Sequence, residues 1–515
     1  MTGAATAGAA ALVALVFLLR AGSTSTANWP VNWELRSSDN GVLFQVMQDV
    51  LAGRTLDWSF SPQVYVFPEL PVSAAAYLLG GGDLYRYYLL VAAINAALLF
   101  LALFMLVSVI YRSASNPARL ARAAIAFVPL ALLPLASGAW LPSFHLAPTY
   151  YFGMYLMLFA APAFFFVRRR PARVLLGLGL AFTVASNPLV LVFCGLPFSI
   201  VLIVVGVRNG FRAVVRPALA AAAVLVIALV VRLAFFSSLQ GGSPLDYVDP
   251  DVFATRLANL GPYFGGVLAD PAARVILVVG AVLAVLEFLS AIVVVVFVLR
   301  RRLEPEPRIL SAVYFGLFPV LGLACTAIVM ITHNLYFWPV VIAPYVIALL
   351  ALPGRWSVRA LLVAAIAFFA VVSGSGGFST LASGQEYFGH RTAETECLDS
   401  KLPRGAVGYA TFSDSRRLSL TSANDVRLVP LKSDLQIATW LTNLDYPRQF
   451  AGSFFYLNSA GDEPELSRGA ITGLFGAPDS KIRCDGGHSV WIYTDTEALA
   501  RIADHFASAP AIRHR

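Results

Sequence analysis

"VILVVGAVLAVLEFLSAIVVVVFVL", Val275 to Leu299, is a long apolar run carrying a single charge, Glu287. Wound as a helix, a run of that length crosses the roughly 30 Å hydrocarbon layer of a membrane, for which about 20 apolar residues suffice. Similar segments fall near 3–19, 86–111, 123–139, 149–167, 174–186, 188–207, 218–236, 309–332, 337–352 and 360–376. Of the 515 residues, 58% are hydrophobic and 13% charged, with a mean hydropathy of +0.73. Soluble domains carry about a quarter charged residues, so a soluble globular chain is excluded and a polytopic membrane protein is implied.

Loop charges predict the orientation. Arg112, Arg119 and Arg122 share one loop, and "RRRPAR" (Arg168–Arg173) fills the next basic one. Arg208, Arg212 and Arg216, then "RRRLEPEPR" (Arg300–Arg308) and "GRWSVR" (Gly354–Arg359), follow. All lie on the cytoplasmic side, as the positive-inside rule requires, only if 174–207 crosses twice with a break at "SNP" (Ser186–Pro188). That gives about eleven spans, the N-terminus inside and the C-terminus outside. The intervening loops "LPSFHLAP" (Leu141–Pro148) and "THNLY" (Thr332–Tyr336) contain no lysine or arginine. The formal charge of +8 is thus orientation signal, and no nucleic-acid partner is expected. Segment 3–19 reads as an uncleaved first helix, since it lacks a basic leader and "AGSTSTA" (Ala21–Ala27) is only a passable cleavage site.

Composition changes near residue 377. The lysines, Lys401, Lys432 and Lys481, all lie beyond it. The expected organisation is an all-α polytopic domain over 1–376, with outer loops 20–85 and 237–274, and a small extracytoplasmic α/β domain over 377–515. In that tail "AVGYATF" (Ala406–Phe412), "VRLVPL" (Val426–Leu431), "SFFYLN" (Ser453–Asn458) and "SVWIYT" (Ser489–Thr494) read as strands. "SDLQIATWL" (Ser433–Leu441), "PELSRGAITGLFG" (Pro464–Gly476) and "TEALARIADHFA" (Thr496–Ala507) read as helices. Cys194 and Cys325 fall within spans, where they read as packing residues. Cys397 and Cys484 flank the core of the outer domain; in an oxidising compartment they are expected to pair, against the alternative of two buried thiols.

The first outer loop holds "ELRSSDNGVLFQVMQDVLAG" (Glu34–Gly53). Leu43, Val46, Met47, Val50 and Leu51 form one helical face; Gln45, Gln48 and Asp49 form the other, and Gly53 closes the helix. This predicts a helix lying on the membrane surface, with Asp39 just ahead of it as a cap, a catalytic group or both. "YVFPELP" (Tyr65–Pro71) adds a second acidic element before the next span.

An early aspartate after the first span, a surface helix ending in D-hydrophobic-hydrophobic-x-G, and "LYFWPVVIAPYVIALLAL" (Leu335–Leu352) together resemble membrane glycosyltransferases of the GT-C superfamily. "CLDSKLPRGAVGYATFSDSRRLSL", "IATWLTNLDY" and "LFGAPDSKIRCDGGHSVWIYT" resemble the tail of a bacterial group of such proteins with a C-terminal extracytoplasmic domain. The resemblance spans nearly the whole chain, though no single motif is diagnostic. It implies a multi-pass protein of the cytoplasmic membrane that moves a hexose or pentose from a polyprenyl-phosphate donor to a glycan, lipid or protein acceptor at the outer face. Asp39 would be the base, with Glu69 a second acid or a solvated loop carboxylate. Substrate contacts would fall to His145, Arg232, Arg256, His333, Asn334 and Tyr336. The ordinary roles of these residues are interfacial polar group for His145, snorkelling for Arg232, surface ion pair for Arg256 and aromatic anchoring for Tyr336. Glu287, mid-span, is a functional candidate by its location or a protonated packing residue. No cofactor is implied beyond the lipid-linked donor, no His/Cys cluster calls for a structural metal, and use of a divalent ion is open.

Asn40 follows Asp39 where several GT-C families have a second acid. That departure motivates an alternative: a catalytically inactive GT-C-like protein that binds lipid-linked glycan or scaffolds envelope assembly. A transporter is disfavoured, because repeated halves and several mid-membrane polar residues are missing.

Overall fold

The computed structural model describes residues 38–136, 146–149, 151–167, 169–240, 261, 265, 268–269, 271–329, 338–351, 391–446, 452–458, 465–484 and 487–508. The first described segment supplies two short helices, α1 (Val42–Leu51) and α2 (Glu69–Leu79), with the two-residue strand β1 (Trp58–Ser59) between them. Long apolar helices follow: α3 (Leu84–Ile110), α4 (Asn116–Ala136), α5 (Phe152–Phe166), α6 (Arg170–Ser186), α7 (Leu196–Asn209) and α8 (Arg212–Val231). Then come α9 (Pro271–Leu299), α10 (Pro307–Phe315), α11 (Phe318–Val329) and α12 (Trp338–Ala351).

Local chemistry sets these boundaries. Asp83 caps α3, its carboxylate accepting from the Arg86 amide at 2.8 Å. The chain leaves α6 at Asn187, extended at φ −135°, because Pro188 disfavours helical backbone in the residue before it. The "SNP" break therefore separates two helices, and a π-turn (Leu191–Gly195) leads into α7. The expected span 309–332 is divided near Gly316. A side chain at Gly316 would strike Ala291 and lie 2.9 Å from the Glu287 carbonyl, so glycine is what lets α10 lie tightly on α9.

Among the described residues, five helical stretches are long and apolar enough to cross a membrane: 84–110, 191–209, 212–239, 274–299 and 307–325. The chain is thus a multi-pass membrane protein. In the most apolar windows of 84–110 and 307–325, 56% of residues are buried, against 17% for 212–239 and 274–299, so the latter two present most of their surface to lipid. Val282, Leu286, Leu289 and Val293 lie on that exposed surface of α9.

Beyond residue 391 the chain builds an α/β unit from α13 (Ala393–Lys401), β2 (Val407–Thr411), α14 (Phe412–Thr421), β3 (Arg427–Leu431), β4 (Thr442–Asn443) and β5 (Phe454–Asn458). It continues with α15 (Arg468–Phe475), β6 (Ser480–Arg483), β7 (His488–Ile492) and α16 (Thr496–Ser508). Five strands form one sheet in the order β3-β2-β5-β7-β6; β2 is parallel to β3 and β5, and β7 is antiparallel to β5 and β6. Alternate residues serve two buried faces. Tyr409, Phe455 and Trp491 meet Phe475 and Phe506 on one, while Ala410, Phe454, Tyr456 and Val490 meet Leu398 and Leu418 on the other. Burial on both faces is why these strands read as continuous apolar runs.

Two expectations fail. Segment 433–441 is a turn carrying an isolated Leu431–Ile437 bridge, with Leu435 and Leu441 in left-handed backbone. Its helix-like spacing arises because Leu435, Ala438 and Leu441 are separate anchors, each buried. Nor does α1 lay its apolar face on lipid alone. Phe44 packs on Tyr77 and Tyr87 at ring separations of 5.0 and 5.1 Å, and Leu43 and Val46 are buried, while Val50 and Leu51 remain exposed.

Candidate functional site

The candidate site starts at the N-terminal end of α5. The first amides of a helix have no partner within it and present a partial positive charge. Gly153 donates its amide to Glu69 Oε1 at 2.8 Å. A side chain at Gly153 would lie 2.6 Å from Pro68 Cδ, so the close seat of Glu69 depends on glycine there. Glu69 is 3% exposed, and its Oε2 is buried with no hydrogen-bond partner among the described residues. Burial pushes its pKa up to about 7, partly offset by the Gly153 N–H. A carboxyl balanced there can give or take a proton at neutral pH.

Four positions earlier, the Thr149 hydroxyl donates to the Asp39 carbonyl at 3.0 Å and lies 3.4 Å from Asn40 Oδ1. The segment bearing Asp39 and the carboxyl of Glu69 are thus fastened to the same end of α5. Gly41, not Asp39, occupies the N-cap position of α1, and it has no side chain to accept from the first turn. The Asp39 carbonyl accepts from the Val42 amide at 3.2 Å. The Asp39 carboxylate acts on Arg416, reaching over from the α/β unit.

Arg416 is 4% exposed. It donates to the Ser38 carbonyl at 2.7 Å, to Gln45 Oε1 at 2.9 Å and to the Leu441 carbonyl. Burial pulls its pKa down to about 10, against the opposing pull of Asp39, Tyr446 and Tyr88, so it stays charged at neutral pH. Asp49, expected on a solvated polar face, is fully buried. Its Oδ2 accepts from Tyr446 Oη at 2.8 Å, Asn443 Nδ2 at 3.1 Å and Trp58 Nε1 at 3.2 Å; Oδ1 pairs with Arg54 at 3.0 Å. Burial raises the Tyr446 phenol, and Asp49 raises it further. Around this carboxylate β1 pairs with β4, Trp58 opposite Asn443. The segment before α3 and the α/β unit therefore form one joint, built on a buried cation and a buried anion. Arg416, Asn443 and Tyr446 carry no local pattern that would single them out in one sequence.

Arg232 ends α8 and donates to the Ala185 carbonyl at 2.8 Å, the Pro62 carbonyl at 3.1 Å and Gln240 Oε1 at 2.7 Å. It pins the loop ahead of Glu69 to the end of α6, where Ser186 Oγ also receives the Val66 and Phe67 amides. Both carboxyl oxygens of Glu287 are buried without a partner among the described residues. Cys397 and Cys484 are joined in a disulfide, their Cα atoms 5.9 Å apart. His145, Arg256, His333, Asn334 and Tyr336 lie outside the described residues. No group of His, Cys, Asp and Glu suited to a metal ion occurs among the described residues.

These features define a multi-pass membrane protein whose N-terminal segment before α3 is locked to a C-terminal α/β unit, with a buried carboxyl seated at the start of α5. No family model matches the chain, and no curated protein does. Among solved structures it is similar to ArnT from Cupriavidus metallidurans, determined bound to undecaprenyl phosphate, at 14% identity and a TM-score of 0.44 over 95% of this chain and 98% of that one.

Proposed function

We propose that this protein is a GT-C-type membrane glycosyltransferase that takes a sugar from a polyprenyl-phosphate donor at the outer face of the cytoplasmic membrane. The observation that carries the reading is the convergence of the Asp39 segment, on Thr149 just ahead of α5, and the Glu69 carboxyl, on the Gly153 amide of its first turn. The sequence resemblance assigns acid and base work to this outer loop. In the proposed reaction a carboxylate removes the proton from the acceptor hydroxyl as that oxygen bonds the anomeric carbon. The bond from that carbon to the phosphate oxygen breaks, and polyprenyl phosphate leaves. A positioned base contributes about 10²–10⁴-fold to such a step. The spans and the outer loops belong to the catalytic domain, and the α/β unit lies outside the membrane.

The test is transfer of radiolabel from a panel of polyprenyl-phosphate sugars into membrane acceptors by protein carrying Asp39→Asn or Glu69→Gln. The reading expects at least one of the two to lose transfer a hundredfold or more while insertion and donor binding persist. Wild-type turnover in both variants would refute it. A second reading, a GT-C-like protein that binds lipid-linked glycan without catalysis, draws on the buried Arg416 guanidinium acting on Asp39. A neighbouring cation favours the ionised carboxylate and makes it a poorer base. Donor binding without transfer by the wild type would favour that alternative.

A further inference from the structure

A cavity of about 260 Å³ lies between α1 and strand β3, at the edge of the C-terminal sheet. Gln45, Gln48 and Arg54 line it from the outer loop, Tyr77 from α2, and Arg427 from β3. Neither Asp39 nor Glu69 is in the lining. The volume falls just below the roughly 300–1,000 Å³ of ordinary ligand pockets, enough for a compact polar group. A polyprenyl chain would need a longer, apolar wall.

The polar groups of the lining are mostly donors. Arg54, one guanidinium nitrogen of which is on Asp49 Oδ1 at 3.0 Å, and Arg427 bring two guanidinium groups to one cavity. Burial, and next the like charge of Arg54, hold Arg427 below the ordinary arginine range, against the opposing pull of Tyr446, Asp49 and Asp425. Gln45 has its oxygen engaged by Arg416 at 2.9 Å, which leaves its two amide hydrogens for the cavity. Asp425, the carboxylate of the lining, is held by Arg404 through bonds of 2.9 and 2.8 Å. Such a wall suits an occupant that is anionic and rich in acceptor oxygens. Carboxamides also match the paired donor and acceptor character of sugar hydroxyls, and the Tyr77 ring offers a flat surface to a pyranose face.

We propose that this cavity binds an acidic sugar residue, its carboxylate or phosphate set between Arg54 and Arg427 and its hydroxyls on Gln45 and Gln48. The assignment deepens the glycosyltransferase reading, and rests on it, in making the acidic sugar part of the acceptor. The binding itself is tested without turnover.

The experiment is calorimetric titration of the full chain in detergent with glucuronic acid, glucose 6-phosphate, glucose and inorganic phosphate. At least one of the two acidic sugars should bind at least tenfold more tightly than both glucose and phosphate; which one it is identifies the anionic group. Arg427→Gln should weaken that binding tenfold or more, and so should Gln48→Glu, which sets a carboxylate against the ligand without touching the sheet. Equal melting temperatures of variants and wild type would show that the loss is local. Absence of saturable binding, equal binding of glucose, phosphate binding as tightly as the acidic sugars, or indifference to both variants would each overturn the proposal. If the wild type binds an acidic sugar but moves no label from any polyprenyl donor, the enzymatic reading fails and the binding site stands. If transfer proceeds while no acidic sugar binds, the reverse holds.

Discussion

Replacing Glu69 by glutamine should change how stability depends on pH. The folded protein carries this carboxyl from 4.5 up to about 7, chiefly through burial. Each pH step between those values corresponds to about 1.36 kcal/mol, so ionising Glu69 in the folded protein costs on the order of 3 kcal/mol more than in the unfolded chain. In the window from 4.5 to about 7 the folded state keeps the proton and the unfolded state has released it. Unfolding there gives up a proton, so stability falls as pH rises through the window and levels off above it. Glutamine resembles the protonated side chain and still offers an oxygen to the Gly153 amide, but it does not titrate. Melting temperatures of the two proteins, measured in one detergent from pH 4.5 to 8.5, should start close together. The variant should become the more stable one by a few degrees above pH 7. Groups that titrate in both proteins cancel in the difference. A difference that stays flat across the whole range would refute the burial argument and with it the role of Glu69 as a group balanced near neutrality.

Asp49→Asn should destabilise the joint by roughly 3 kcal/mol, because it removes the charge that holds Arg54 and turns one acceptor into a donor facing donors; a melting temperature equal to wild type would reject the joint. Reducing the Cys397–Cys484 bond, which closes a separation of 87 residues, should cost the α/β unit about 4–5 kcal/mol in the chain-entropy model. Peptide mapping without reductant should recover the linked pair, and quantitative alkylation of both thiols in native protein would contradict it. A reporter active only in the cytoplasm, fused after Arg515, should be silent; strong activity would reverse the orientation.

What one sequence reveals here is what local physics sets. The apolar run Val275–Leu299 announces a spanning helix through length alone, and Pro188 announces the break after Ser186 through its effect on Asn187. The strands at Val407–Thr411 and Phe454–Asn458 are legible because burial on both faces leaves few polar positions. Ser433–Leu441 deceived because a spacing of three fits spaced turn anchors as well as a helix, and helical geometry is excluded by left-handed backbone at Leu435 and Leu441. Asp49 deceived for a different reason. Its helical phase opposite Leu43 and Val46 is real, but the surface it faces is not water. Trp58, Asn443 and Tyr446 cover it, and the last two are nearly four hundred residues away in the chain.

That long-range covering bears on how the proposed site works. A loop next to a membrane would ordinarily be among the more mobile parts of a protein. Here Arg416 ties Ser38 and Gln45 to Leu441 from one side, and Asp49 gathers Trp58, Asn443 and Tyr446 from the other. Asp39 lies between Ser38 and the start of α1, so its backbone has little freedom while both ties hold. Thr149 fixes the same segment to the start of α5, where Glu69 already sits on the Gly153 amide. A proton-transfer group displaced by about 1 Å can lose a hundredfold in rate. The α/β unit thus has a physical task even with no catalytic group of its own: it holds the first loop in register with the helix end. If the proposed reaction holds, Arg416→Ala should depress transfer more than it depresses donor binding in the radiolabel assay, since it frees the Asp39 segment without touching the membrane helices.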